Sequence, residues 1–305
     1  MSSISKPLLI AVTATVAAGS LSAYAWSQSQ RPEILEIYVF DLSSGRSIFV
    51  RTPDDKRILF DGGSNNDVIR ELTRILPFYS RRLDAIVATN SDGKNVSGLI
   101  DVLDRYVVDR AYIPGVTLSG LGLASPTDEI YSTFINSLRK KNIVPDKIFS
   151  GQSISFGHSV TVETLFPDMS GDFSYSKSSA PEILFIIRYG DTSVVFIGNA
   201  SSKIQTHIAS STLSKLTSTN VLIVSNSALP ANISKLMSAR LQPQYLVYSK
   251  LLTKANTSAI NKIADPLASI SDSRRFNIHE TGTVNITSDG IQVKIIAART
   301  AKSDR

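Results

Sequence analysis

From residue 34 onward the chain alternates short apolar runs with turn-forming residues, the signature of many short strands. Residues 34–41, 46–52 and 57–60 read as three strands joined through Ser43-Ser44-Gly45 and Pro53-Asp54-Asp55, a meander expected at a sheet edge. Asp61-Gly62-Gly63 breaks the pattern. Asn65 then caps a helix whose Val68, Ile69, Leu72, Ile75 and Leu76 recur at helical spacing before Pro77. A strand at 84–88 leads through the loop TNSDGKNVSG, residues 89–98, into a helix built on Val96, Leu99, Ile100 and Leu103 and ending near Arg105, followed by a strand at 110–113. The order β-loop-α-β makes part of this sheet parallel.

A connecting stretch follows, and after it the outline returns. A helix over 126–141 and strands at 147–149, 153–156 and 160–166 lead into a Ser/Gly/Asp-rich loop, 167–180, that marks no domain boundary. A hairpin over 182–189 and 193–197 is broken by Gly198-Asn199-Ala200, and a helix at 203–213 and a strand at 220–224 follow. A strand at 244–248, a helix near 256–263 and a closing hairpin, 283–287 and 291–296 around Asp289-Gly290, are expected to complete this half. Two such halves predict an α+β protein, an αββα four-layer sandwich of two mixed sheets covered by helices. The expected organisation is one domain over 31–298 and a polar tail at 299–305.

Composition supports a folded chain. With 305 residues, 42% hydrophobic and 19% charged, it buries a sizeable core and falls outside the disordered class. The absence of cysteine excludes disulfides and thiolate metal sites. Net charge is +6, but the cations are scattered as Arg81-Arg82, Arg139-Lys140-Lys141 and Arg274-Arg275, a mild bias toward anionic partners without the interleaved aromatics of a single-strand binding platform. The N-terminus changes the picture more. Lys6 precedes an uncharged run from Leu8 to Leu21 and then Ser22-Ala23-Tyr24-Ala25, so residues 1–30 read as a signal peptide or an N-terminal membrane anchor. Extended to Trp26 the uncharged stretch is 19 residues, just long enough to span a bilayer. Either reading places the remainder outside the cytoplasm.

Chemistry in such a fold collects at the carboxyl ends of strands, where the loop 89–98 sits. The chain from about Leu35 to Ile296 resembles the metallo-β-lactamase-fold domain of ComEC-type competence proteins, which take up DNA. The matching residues are Phe40-Asp41-Leu42, Arg51-Thr52-Pro53-Asp54 before Ile58-Leu59-Phe60-Asp61-Gly62-Gly63, Leu76-Pro77-Phe78, Leu83-Asp84-Ala85-Ile86-Val87-Ala88-Thr89, Ser97-Gly98-Leu99, and Gly282-Thr283-Val284 near Ser288-Asp289-Gly290. The resemblance implies one or two metal ions held by an H-x-H-x-D-H run, a Thr-Gly-Asp turn and a later His-His-Gly motif. At the corresponding positions stand Asn90, Asp92, Lys94 and Asn95, then Asn199, then Asn226 and Ser227 within Ser225-Asn226-Ser227-Ala228; Arg46 replaces an acidic residue of the first glycine turn. Amides are poor ligands for a divalent cation, so no metal, cofactor or catalytic residue is expected.

The remaining candidates each carry two readings. Lys94 either places its ammonium in the former metal pocket, neutralising Asp92 or Asp61, or is an exposed loop lysine. Asp61 is a turn residue before Gly62-Gly63 or a retained carboxylate of the old site, and Asp41 is a hydrogen-bond acceptor at a strand end. Arg46 with Lys94 is a candidate anion or partner contact. His158, His207 and His279 match no ligand position and read as surface or turn residues. No nucleophile elbow or phosphate-cradling loop occurs. The expectation is a catalytically inactive binding or accessory module of the cell envelope, linked through the resemblance to DNA uptake, with DNA or envelope proteins as candidate partners, and with the membrane as a further one through residues 1–30 if uncleaved. The alternative is a metal-dependent phosphodiesterase using Asp61, Asp92 and His279.

Overall fold

The computed structural model describes residues 33–117, 119–123, 128–169, 173–176, 180–211, 216, 218–225, 233–249 and 267–299, with 15, 18–20 and 22 near the N-terminus. The chain divides into two compact units, Met1–Glu33 and Ile34–Arg305. The expected helix at 256–263, Asn226, Ser227, most of residues 1–30 and the tail beyond 299 lie outside the described residues. Among the described residues no helix is long and apolar enough to cross a membrane.

The first sheet is formed by β1 (Leu35–Val39), β2 (Ile48–Arg51), β3 (Arg57–Phe60), β4 (Arg82–Val87), β5 (Val107–Pro114) and β6 (Asp146–Ile148), joined by two strands from the far end of the chain, β14 (Val284–Ser288) and β15 (Val293–Ala297). Its order is β15-β14-β1-β2-β3-β4-β5-β6. The second sheet has the order β13-β12-β11-β10-β9-β8-β7, from β7 (Ser153–Phe156), β8 (Val160–Phe166), β9 (Leu184–Tyr189), β10 (Thr192–Gly198), β11 (Val221–Val224), β12 (Tyr245–Tyr248) and β13 (Arg275–Asn277). Both sheets are mixed: β3 to β6 and β10 to β13 run parallel, the others antiparallel.

Strand alternation produces the layers. In β1, Leu35, Ile37 and Val39 are buried while Glu36 and Tyr38 between them are only partly so. Ile37, Ile58, Phe60 and Val87 of the first sheet meet Phe185, Ile187, Phe196 and Ile223 of the second in a central core. Within it Phe60 stacks on Phe185, centroids 4.3 Å apart. The opposite face of the first sheet, with Phe49, Leu59, Leu83 and Ile86, packs on α1 (Asp67–Ile75), α2 (Gly93–Arg105) and α3 (Asp128–Lys140) through Leu72, Leu99, Val102 and Phe134. The outer face of the second sheet packs on α4 (Ser202–Ser211) and α5 (Lys235–Leu241) through Ile204, Ile208, Met237 and Leu241. This is the αββα sandwich expected from the residue pattern.

The closing hairpin departs from expectation. It pairs β14 antiparallel to β1, Ile286 opposite Ile37, and so completes the first sheet instead of the second half. The meander β1 to β3 is therefore interior to its sheet, not an edge. Alternation in 284–288 specifies a half-buried strand but not which sheet receives it. The pattern also misses α5, β13 and the short α6 (Ile278–Thr281), each seven residues or fewer.

Glycines set how closely α2 approaches the end of β3. A Cβ on Gly98 would lie 2.0 Å from the Gly62 carbonyl oxygen, and one on Gly62 would lie 2.4 Å from the Leu99 nitrogen. Both obstacles are backbone, so a side chain has no easy escape. Gly98→Ala is expected to destabilise the domain by roughly 1–3 kcal/mol or more, read as a lowered urea midpoint with unchanged slope. An unaltered midpoint would mean that α2 slides freely over the loop.

Candidate functional site

Arg46 lies after the Gly45 turn and just before β2, and its side chain runs inward, with the residue 9% exposed. Its Nε donates to Asp61 Oδ2 at 2.7 Å, its Nη1 to Ser225 Oγ at 3.2 Å, and its Nη2 to Thr89 Oγ1. The same Nη2 forms an ion pair with Glu182. The guanidinium carbon also sits 5.1 Å from the centroid of Phe196, a cation–π contact. One side chain thus joins the ends of strands from both sheets: Asp61 follows β3, Thr89 follows β4, Ser225 follows β11, and Glu182 precedes β9.

The carboxylates are held in turn. Asp61, 1% exposed with a φ of 58°, accepts from the Thr89 backbone N–H at 2.8 Å and the Thr89 hydroxyl at 2.6 Å besides Arg46. Its own N–H donates to Val87. Glu182 accepts from the Asn199 N–H at 3.1 Å, and the adjacent Ile183 N–H donates to the Thr89 carbonyl. A Cβ on Gly198, whose φ is +51°, would lie 2.1 Å from the Glu182 carboxylate, so this crossing of the two strand ends requires glycine.

Two buried carboxylates facing one guanidinium leave the site a proton short of neutrality. Burial raises the Asp61 carboxyl above its ordinary value, against the lowering effect of Arg46 and the Thr89 hydrogen bonds. Burial likewise raises Glu182, and the neighbouring Asp61 charge adds to it while Arg46 opposes it. Burial works against the charge on Arg46, but Glu182 and Asp61 outweigh it and hold the guanidinium protonated.

The structure assigns the sequence candidates unequal parts. Lys94 is exposed, and its backbone N–H, not its ammonium, bonds to Asp92, which caps α2 from an exposed position. The cation at these strand ends is Arg46, not Lys94, because the Gly45 turn aims residue 46 inward while residue 94 sits in the first turn of α2. Arg46 and Lys94 therefore form no shared cleft for an anion. Asn90 Oδ1 accepts from the Asp92 N–H and the Asn95 amide, closing the loop on itself, and the Asn95 carbonyl accepts from Gly62. Asn199 is exposed and contributes its backbone to Glu182. Sequence reasoning missed Glu182, the one charge opening the apolar run Glu182-Ile183-Leu184-Phe185, and passed over Thr89 and Ser225 as partners.

His279 is not a free surface residue. Its Nδ1 lies 3.2 Å from Asp41 Oδ1 and its Nε2 2.9 Å from Ser249 Oγ. The order Asp-His-Ser is that of a nucleophilic triad, but here the serine is the enclosed member, 7% exposed, so the line serves to tie the ends of β1, β12 and α6 together. His207 is paired with Asp168 at 2.7 Å, closing the loop after β8 onto α4.

These residues do not fit a divalent cation. The converging oxygens of Asp61 already accept three hydrogen bonds, and a metal beside them would face the guanidinium charge. The alternative ligands are also dispersed: Asp92 caps α2, and His279 is bound to Asp41 and Ser249. Among the described residues no three His, Asp or Glu side chains converge as a metal site.

The site and fold together define an αββα sandwich whose strand ends are closed by an internal salt bridge. No protein-family model matches the chain, and no curated protein matches its sequence. Similar solved structures include the metallo-β-lactamase-fold protein YhfI from Bacillus subtilis, at 10% identity over 80% of this chain and 95% of that one, with a TM-score of 0.49. Tm1679, described as a metal-dependent hydrolase of the β-lactamase superfamily, is 10% identical over 75% of this chain and 93% of its own, with a TM-score of 0.48. CmlA β-hydroxylase is 17% identical over 71% of this chain at a TM-score of 0.44, and the match spans 46% of its length.

Removing the cation should expose its role. Arg46→Met leaves two buried carboxylates uncompensated and is expected to cost about 3–5 kcal/mol at neutral pH, with a smaller loss in acid where both carboxylates take up protons. Denaturant unfolding at both pH values measures it, and a neutral-pH loss below about 1 kcal/mol would place the ion pair in effective contact with solvent. Glu182→Gln tests the sign of the proton linkage. A raised folded-state value means that the native protein holds the proton more tightly; the stabilisation is present below the ordinary value of 4.5 and is lost as pH rises through the raised one. The melting temperature of Glu182→Gln relative to the unsubstituted protein should therefore climb as pH increases from that range toward neutrality. A difference independent of pH would contradict the raised value.

Proposed function

We propose that this chain is a metallo-β-lactamase-like domain that has lost metal-dependent catalysis and acts as a binding or accessory module. The observation that carries the reading is the Arg46 guanidinium, hydrogen-bonded to Asp61, Thr89 and Ser225 and ion-paired with Glu182 at the strand ends where such a fold would hold its metal. A fixed organic cation supplies the charge balance of a metal without an open coordination position or an activated water. The apolar, uncharged stretch from Leu8 to Trp26 supports a cell-envelope location outside the cytoplasm. DNA uptake follows from the sequence resemblance alone, and it makes DNA and envelope proteins the partners to try first.

Elemental analysis of the full chain after incubation with zinc and manganese, with melting curves alongside, tests this directly. The expected result is no stoichiometric metal, no shift in melting and no metal-dependent cleavage of a phosphodiester substrate. A tightly held ion with a raised melting temperature would overturn the reading in favour of a rebuilt metallohydrolase.

A further inference from the structure

At the opposite end of β4 from Arg46, roughly 20 Å away along the strand, the turn after α1 projects a bare aromatic pair. Phe78 is 90% exposed and Tyr79 77% exposed, their rings packed edge to face with centroids 5.4 Å apart. Val107, at the start of the adjoining β5, is 61% exposed, and its N–H bonds to the Arg81 carbonyl. Phe78, Arg81 and Arg105 line one shallow cleft of about 160 Å³ with Ile69, Leu76 and Tyr106. Neither Arg81 nor Arg105 makes an ion pair among the described residues, whereas neighbouring Arg82 is taken up by Asp109 and Arg57 by Asp55. Large aromatic side chains exposed to this degree are unusual on a soluble surface, and here two unpaired cations flank them.

We propose that this tip docks onto an anionic lipid surface, with Phe78 and Tyr79 at headgroup depth and Arg81 and Arg105 on the lipid phosphates. Aromatic rings with a polar or apolar edge favour that interface, and each arginine near an anionic surface adds attraction. The topology puts the tip on the side from which the chain enters the domain. β1 and β4 both run parallel to β3, so Leu35 starts at the same sheet end as Arg82; Arg57 at the start of β3 bonds Ser80 within the tip itself. Leu35 and the tip are separated by three strand spacings, on the order of 14 Å. The apolar stretch ends at Trp26, nine residues before Leu35, a reach of at most about 30 Å. A bilayer that receives that stretch is thus within reach of the tip. This surface is remote from Arg46 and stands whether or not that site is inert.

The test uses the full chain with Trp26, its only tryptophan, changed to Phe and Phe78→Trp as the reporter. Mixed with phosphatidylcholine vesicles containing phosphatidylglycerol, the reporter should shift its emission to the blue and be quenched by lipids brominated near the headgroup. Arg81→Ala and Arg105→Ala should each lower the inserted-to-free ratio about fivefold. Solvent-like emission with both neutral and anionic vesicles would overturn the proposal. So would a shift produced without lipid by raising protein concentration, which marks a second copy, or one produced only by a DNA oligonucleotide.

Discussion

The joining of the two sheets at their strand ends depends on how one buried guanidinium is shared. Arg46 has five N–H donors in a rigid fork, and the sandwich gives it acceptors from four strand ends in two sheets. A lysine ammonium at the same place would offer a compact point charge and could not span Asp61 and Ser225 together. The planar fork explains why the inward cation is arginine, and the Gly45 turn, at a φ of +77°, explains why it is residue 46. The cost of burying the charge is offset by two carboxylates, which burial has raised toward their protonated forms. The site is therefore held by mutual constraint: no member can leave without orphaning another.

That constraint also clarifies what the surrounding loops do. In a metal site the loop after β4 would present ligands outward into a cleft. Here it folds back on itself through Asn90, Asp92 and Asn95, and it sends only Thr89 toward the centre. Gly62 and Gly98 let α2 press against the Asp61 turn, backbone on backbone. Among the described residues, Asp61, Thr89, Ser225 and Glu182 at the strand ends are all bonded to Arg46. The Asp41-His279-Ser249 line works the same way, joining the end of β1 to the end of β12.

The element pattern was legible because it rests on local signals. Apolar runs bounded by turn residues located 57–60, 153–156 and 160–166 with the bounds the structure has, and the spacing of Val68, Leu72, Val96, Leu99 and Leu103 found two of the helices that cover the first sheet. Register between distant segments was not legible, since nothing in 284–288 announces β1 as its partner. The site was half legible. The sequence pointed to the loop after β4 and to Arg46 as positions of interest, and the structure brings Arg46 and Thr89 of that loop together. That it, and not Lys94, supplies the central charge follows from the direction of two backbones, and Glu182 lies 136 positions away from its partner Arg46. Short elements such as α5 and α6 carry too few residues to establish a period.

The two ends of the sandwich place opposite demands on charge. At the Arg46 end, cations and anions are drawn together and hidden, so the internal field is nearly closed and little of it reaches a partner. At the Phe78 end, two arginines remain uncompensated beside exposed rings, and their field extends into solvent over about a Debye length. A net charge of +6 is then not spread evenly in its consequences: cations that are paired or buried contribute stability, and those left free decide what the surface attracts. One end of the sandwich thus holds its charge inside, and the other presents it to solvent.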